Sequence, residues 1–402
     1  MENGDRAEMI RVTVLDRRIS RRALLRGIGI GGASLAATAF VACGDDDSDD
    51  TSGGTTTEGD TGTTSEDGAP GEVDQTSFIF QFPAPHAGLL VVHYAAQEMG
   101  FWEEEGLEVS IEYATAGTPL IAGGTVDYGE ILADGLLNAK ASGQDLTVFY
   151  QPVYGQVFGF VVPVDSEITE WTAEQITGKV IGVTELIGGE VPALRAALFR
   201  IGLSEGEEVE LFPTSASSQA ITADAFNTGR IDIFAGSLLD HAAVQVAGIE
   251  LRAITPDFVL DAAGDNAIAT RSDHLAENRD QAVRFGRGMA KAKVWVLANF
   301  DDAIDSALEV APETGTREEV ASFVELLLVN RSLPPEKADI EEGQIWIEGW
   351  EAFQALLLEG GTGSPDDPLQ YTEPIDVSGL VDNTLAPEIF DFDRAEIEAR
   401  TR

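Results

Sequence analysis

The chain has 402 residues, 44% of them hydrophobic, with 42 Gly and 16 Pro, enough for two domains with real cores. Its formal net charge of -45 excludes nucleic acid as a partner, because a phosphate backbone would be repelled. That acidity reads as a device for solubility and is no argument for a cationic ligand.

Residues 1–43 read as a targeting segment outside the fold. Ser20-Arg21-Arg22-Ala23-Leu24-Leu25-Arg26 resembles a twin-arginine export motif. A Gly- and Ala-rich run from Gly27 to Ala42 follows, too short and too rich in glycine for a membrane-crossing helix. Phe40-Val41-Ala42-Cys43 resembles a lipobox with Phe where Leu is usual. Cys43 is the single cysteine of the chain, and its place after an export run fits lipid attachment better than a disulfide or a catalytic thiol. Residues 44–75 are an acidic, Gly/Ser/Thr-rich stretch with almost no apolar side chains. Such a stretch cannot offset the entropy of folding, so it is expected to be a disordered tether.

The first lobe is expected over residues 76–162. Phe78-Ile79-Phe80-Gln81-Phe82 is a short apolar strand, broken by Pro83, Pro85 and Gly88. Leu89 to Met99 carry apolar residues at helical spacing up to Gly100, and Leu107-Val109-Ile111 alternate as a second strand after Gly106. Strand, turn, helix, strand is the unit of a parallel sheet. Gly124 to Gly129 leads to a turn expected at Glu130–Asp134, then a helix to Ala141 and a strand over Leu146–Gln151. The apolar run Phe158–Val162 is expected as the crossing into a second lobe.

The second lobe is expected over residues 163–266. Val180–Val183 is its entry strand, followed by the turn Thr184–Glu190 and a helix to Arg200. Val209–Phe212 is the next strand, and Thr214–Gln219 caps the next helix. A helix whose first turn holds Ser237 and Asp240 and a strand at Leu251–Ile254 complete it. Residues 267–402 are expected to return to the first lobe and to be mostly helical, with a strong helical period over Asn278–Asn299.

Several segments carry a family resemblance. Gly100-Phe101-Trp102-Glu103-Glu104-Glu105-Gly106-Leu107-Glu108-Val109 resembles the start of the SsuA/THI5-like (NMT1) family. Gly124-Thr125-Val126-Asp127-Tyr128-Gly129 and Gly229-Arg230-Ile231-Asp232 resemble its paired Gly-x-Val/Ile-Asp segments, one per lobe. Ile176–Val183 resembles its second entry strand, and Ile375–Val381 its closing segment. The resemblance runs from Phe78 to Asp382. It implies an α/β, two-lobed periplasmic-binding-protein fold of type II. Each lobe is then a mostly parallel sheet flanked by helices, and a hinge of two crossings joins the lobes. It also implies a solute-binding component of an ABC importer that captures a small molecule and hands it to a membrane permease. With Cys43 lipidated, the protein would be exported and anchored to the outer face of the cytoplasmic membrane.

Ligands of such folds meet the chain where strands give way to helices, since helix N-termini offer free N–H groups. The candidates in the first lobe are Phe82, His86, Glu130 and the hinge-side Tyr154. Those in the second are Glu185, Gly188, Gly189, Glu190, Ser237 and Asp240. Each has a plainer reading beside the ligand one. His86 either meets a ligand or caps the following helix, and Phe82 either stacks on a flat ring or belongs to the core. The two glycines either admit a ligand or only make a turn, and the glutamates either read an amino edge or face solvent.

No basic residue stands at these junctions, while carboxylates and an aromatic do. This leans toward a neutral or amino-bearing flat molecule such as a thiamine-precursor pyrimidine, and away from nitrate, sulfonate or taurine. Backbone N–H groups alone can nevertheless hold an anion. The family's thiamine pyrimidine synthases give an enzymatic alternative. His86 matches their histidine, but Phe82 stands where their pyridoxal-phosphate lysine is expected, and their cysteine-rich run is missing. No cofactor is expected. No metal is expected either, because His86, His93, His241 and His274 lack the close spacing of metal motifs.

Overall fold

A computed structural model describes residues 73–402, except 83, 115, 187, 215–218, 330 and 362–369. The twin-arginine run, Cys43 and almost all of the acidic stretch lie outside the described residues. The described residues fall in one unit, Gly68–Arg402.

Ten strands build two five-stranded sheets. The first contains β1 (Asp74–Phe80), β2 (Leu107–Tyr113), β3 (Tyr128–Ile131), β4 (Leu146–Tyr150) and β10 (Ala267–Arg271), in the order β2-β1-β3-β10-β4. The second contains β5 (Phe158–Pro163), β6 (Val180–Val183), β7 (Glu210–Pro213), β8 (Ile233–Ser237) and β9 (Leu251–Ala253), in the order β7-β6-β8-β5-β9. The two orders are equivalent. In each sheet one strand runs against its neighbours: β10 is antiparallel to β3 and β4, and β5 is antiparallel to β8 and β9. Both reversed strands follow a crossing of the chain, at 151–157 and 254–266. Two mixed sheets flanked by helices, joined by two crossings, are the two-lobed α/β fold.

Local differences from the sequence reading have local causes. β1 starts at Asp74 and ends at Phe80, where the Phe82 N–H folds back to the Phe80 carbonyl at 2.8 Å. The expected turn at Glu130 begins later, because Glu130 and Ile131 are still paired to β10 within β3. The run at Phe158 is itself a sheet strand, and the crossing proper precedes it.

Helices cover the sheets with their apolar stripes. Helix α1 (Val91–Glu98) and the long helix α2 (Arg279–Ala298) pack together on the first lobe. Their core joins Phe78, Trp102, Tyr128, Phe285 and Trp295, all essentially buried. Helix α3 (Ile347–Gly361) follows the return strand in sequence yet packs on Glu190–Arg200 of the second lobe. Its buried Trp350, Phe353, Leu356 and Leu357 share one cluster with Leu194, Ala197 and Leu198. Outside that seam, Arg200 pairs with Glu359 at 2.8 Å. The same helix touches Ala133–Ala141 of the first lobe and so bridges the two lobes.

Candidate functional site

In the first lobe, the end of β1 places Phe82 and His86 in contact. Their rings meet edge to face with centroids 5.6 Å apart. His86 Nδ1 accepts from the Leu89 N–H at 3.2 Å, and its carbonyl accepts from the Leu90 N–H at 3.0 Å, so the residue caps the turn entering α1. On its other side it packs against Phe323, centroids 5.8 Å apart. Burial lowers its pKa and favours the neutral ring. A neutral ring that accepts at Nδ1 carries its proton on Nε2 and offers a donor there. Phe82 is half-buried and packs on the lobe's apolar core.

Glu130 sits near the end of β3. Its carbonyl accepts from Gln81 Nε2 at 2.7 Å, which ties it to the residue preceding Phe82. Its side chain is buried with His93 Nε2 3.4 Å from Oε1. Burial raises the carboxyl pKa to about 8.

Tyr154 lies in the first crossing. Its hydroxyl accepts from the Gly343 N–H at 2.7 Å and donates to the Gln344 carbonyl at 3.0 Å, and its own N–H donates to the Arg331 carbonyl at 2.7 Å. The hydroxyl therefore straps the crossing to the C-terminal segment.

In the second lobe, the turn after β6 wraps around the Glu190 carboxylate. Glu190 Oε1 accepts from the Thr184 N–H at 2.7 Å and from the Thr184 hydroxyl at 2.5 Å. Burial raises the pKa of this carboxyl, opposed by those hydrogen bonds. Glu185 is exposed, and its carbonyl accepts from the Gly188 N–H at 3.0 Å. The two glycines are explained by close approach. A Cβ at Gly188 would run into the Glu190 carboxylate, and one at Gly189 would lie 2.8 Å from the Phe158 ring.

Ser237 and Asp240 form a capping box at the start of Leu238–Val246. The Asp240 N–H donates to Ser237 Oγ at 3.3 Å, and the Ser237 N–H donates to Asp240 Oδ2 at 2.8 Å. Phe158 pairs with Ser237 across β5 and β8, and Asp240 acts electrostatically on Glu190. Glu190, Gly189, Phe158, Ser237 and Asp240 are thus neighbours.

The lobes meet beside these groups. Leu239, next to the capping box, packs against the first-lobe core together with Phe82, Leu89 and Tyr113. Phe82, His86 and Glu130 thus stand in the first lobe, the turn at Glu185–Glu190 with Ser237 and Asp240 stands in the second, and Tyr154 lies in the first crossing. Sequence reasoning missed Phe158, Leu239 and His93. Phe158 and Leu239 look like ordinary members of an apolar strand and an amphipathic helix. His93 looks like an isolated histidine, and no local signal marks its partner.

A protein-family model described as NMT1/THI5 like matches residues 86–303. The riboflavin-binding protein RibY of Chloroflexus aurantiacus is 22% identical over 309 residues, which span 73% of this chain and 82% of that protein. Among solved structures, the alkanesulfonate-binding protein SsuA from Xanthomonas axonopodis pv. citri bound to MOPS superposes with a TM-score of 0.52 at 16% identity, covering 76% of this chain and 97% of that one. The putative sulfonate-binding SsuA of Methylobacillus flagellatus gives 0.57 at 14% identity, covering 82% and 96%. The periplasmic nitrate-binding protein NrtA of Synechocystis gives 0.52 at 14%, covering 81% and 91%. Identities this low carry the two-lobed fold. The family model spans more than half of the sequence, and the chain belongs to the NMT1/THI5-like family.

Proposed function

We propose that this protein is the solute-binding component of an ABC-type importer, and that its cleft takes a flat, neutral or amino-bearing nitrogen heterocycle. A pyrimidine of the thiamine-precursor type is the first choice. The observation that carries this reading is the chemistry of the strand ends. The segments 81–86, 113–118, 130–134, 151–157, 184–190 and 236–240 contain Glu130, Glu190, Asp240 and Phe82 but no Lys or Arg. Carboxyl groups pair with amino edges, and aromatic faces suit planar rings. Ligand binding would draw the lobes together and shift the population able to dock on a permease. Export and lipid attachment at Cys43 would hold the protein at the outer face of the cytoplasmic membrane. This is binding without a chemical step.

A flavin is the second reading, favoured by the name of the RibY relative. Its tricyclic ring is also planar and uncharged. Nitrate or a sulfonate is the third, and it would have to be held by backbone N–H groups near Gly188 and Gly189.

Calorimetry on the unit Gly68–Arg402 separates these readings. An aminopyrimidine, riboflavin, taurine, an alkanesulfonate and nitrate would each be titrated. One-to-one binding of a heterocycle, weakened in Phe82→Ala and His86→Ala, supports the proposal. Binding of an anion alone would keep the importer reading and remove the argument from charge.

A further inference from the structure

The turn that follows β6 is closed by its own carboxylate. Glu190 Oε1 accepts from the Thr184 N–H at 2.7 Å and from the Thr184 hydroxyl at 2.5 Å. Both donors stand at the end of a strand, where ligands of such folds meet the chain. Glu190 is 3% exposed, although Glu185 and Gly189 of the same turn are exposed. Its carboxylate lies over the backbone of Gly188, in the space where a Cβ at that position would fall. The donors of Thr184 are therefore satisfied from within the chain, beneath a turn that reaches solvent.

Neighbouring elements carry this turn toward the other lobe. Glu190 is close enough to Asp240 for the two carboxylates to act on each other. Asp240 opens the helix Leu238–Val246, which packs on the helix Arg317–Val324. Phe323 of that second helix touches His86 at the first-lobe junction, with ring centroids 5.8 Å apart. Leu239, next to Asp240, packs on the first-lobe core. The segments 184–190 and 236–240 hold no Lys or Arg. An incoming acid group would find the Thr184 donors taken, two carboxylates beside them and no cation to offset its lost hydration.

We propose that Glu190 is a specificity-determining residue, whose carboxylate fills the acceptor position at Thr184 and keeps small oxyanions such as nitrate or the head of a sulfonate out of the second lobe. This rests on the solute-binding reading above and names what that lobe refuses. A carboxylate and nitrate are both small, planar and rich in acceptors, so the side chain stands in for the ligand it excludes.

The test uses the full chain, with formate, nitrate and methanesulfonate as probes, titrated by calorimetry while chloride holds the ionic strength fixed. Glu190→Ala empties the position. It is expected to bind formate and nitrate about tenfold more tightly than the wild type does. Those anions are also expected to raise the melting temperature of Glu190→Ala and to leave that of the wild type unmoved. Adding Thr184→Val removes the hydroxyl donor and is expected to reverse about fivefold of the gain. Glu190→Gln keeps an acceptor for Thr184 and is expected to gain no anion. Equal anion affinity in the wild type and Glu190→Ala overturns the proposal. A gain that Glu190→Gln matches, or that Thr184→Val leaves untouched, overturns it as well, since charge alone or another place would then be responsible. If Glu190→Ala does not stay folded, refolding in formate against chloride reads the same exchange: better recovery in formate supports the proposal, and equal recovery overturns it. An aminopyrimidine and riboflavin are titrated into the wild type alongside. Glu190→Ala can gain the anions whether or not a heterocycle binds, so the two readings fail separately.

Discussion

The Arg331 guanidinium is buried against the Asp265 carboxylate, joining the C-terminal segment to the second crossing. Asp265 also accepts the Asn266 N–H at 2.8 Å, and the Arg331 carbonyl accepts the Tyr154 N–H of the first crossing at 2.7 Å. Both crossings are thus tied to one residue. Removing one partner of a buried pair strands the other charge. Asp265→Ala is expected to cost about 3–5 kcal/mol in denaturant unfolding. Arg331→Met combined with Asp265→Leu should recover most of that loss, because an apolar pair carries no desolvation cost. A double variant no better than Asp265→Ala would show that shape, and not charge, dominates there.

Acid should destabilise the fold through its buried histidines. Burial lowers His241 from 6.5 to about 4, partly opposed by a hydrogen bond to Gly159, and lowers His93 from 6.5 to about 3. The unfolded chain takes up these protons first. Stability present above 6.5 is therefore lost as pH falls toward the folded values. Glu130 has the opposite sign. Its pKa rises from 4.5 to about 8, so its contribution is full below 4.5 and is lost as pH rises through 8. Melting temperature against pH should show an acid limb that flattens in His241→Gln and an alkaline limb that flattens in Glu130→Gln.

The Ser237–Asp240 capping box makes a prediction that separates stability from binding. Ser237→Ala removes the acceptor for the Asp240 N–H and should lower stability by about 1 kcal/mol. Ser237→Asn, another good cap, should restore most of it. A loss of ligand affinity that persists in Ser237→Asn would assign the hydroxyl to the site as well as to the helix.

Gly189 should not tolerate a side chain. A Cβ placed 2.8 Å from the Phe158 ring forces either the ring or the turn to move. Gly189→Ala is expected to cost about 1–3 kcal/mol. Phe158→Leu made in the same chain should relieve part of that cost. The pair should show coupling in a double-mutant cycle, as contacting residues do.

Much of the architecture was legible because it is local. The period-two run at Leu107–Ile111, the helical period at Asn278–Asn299 and the glycines at 100 and 106 encode strand, helix and left-handed turn within a few residues. The paired Gly-x-Val/Ile-Asp segments marked the two lobes for the same reason. The aspartates of those segments have equivalent roles: Asp127 accepts the Ser77 N–H at 2.8 Å and Asp232 the Val180 N–H at 2.9 Å, each tying a turn to its neighbouring strand. The junction at Phe82 and His86 was legible too, since prolines and a glycine break the strand there.

Long-range contacts were not legible. Periodicity says which residues share a face, but not which distant face will cover it. That is why the apolar run at Phe158 reads as a crossing, although it folds as β5, a reversed strand between β8 and β9. It is also why helix α3 packs on Glu190–Arg200 although it follows the return to the first lobe. His93 and Glu130 carry no shared motif, and α1 must fold over the sheet before the imidazole reaches the carboxylate. Local backbone preference is written residue by residue, whereas pairing and burial depend on the whole chain closing upon itself. Burial then raises the pKa of the Glu130 carboxyl, which composition alone would have taken for an ordinary acid.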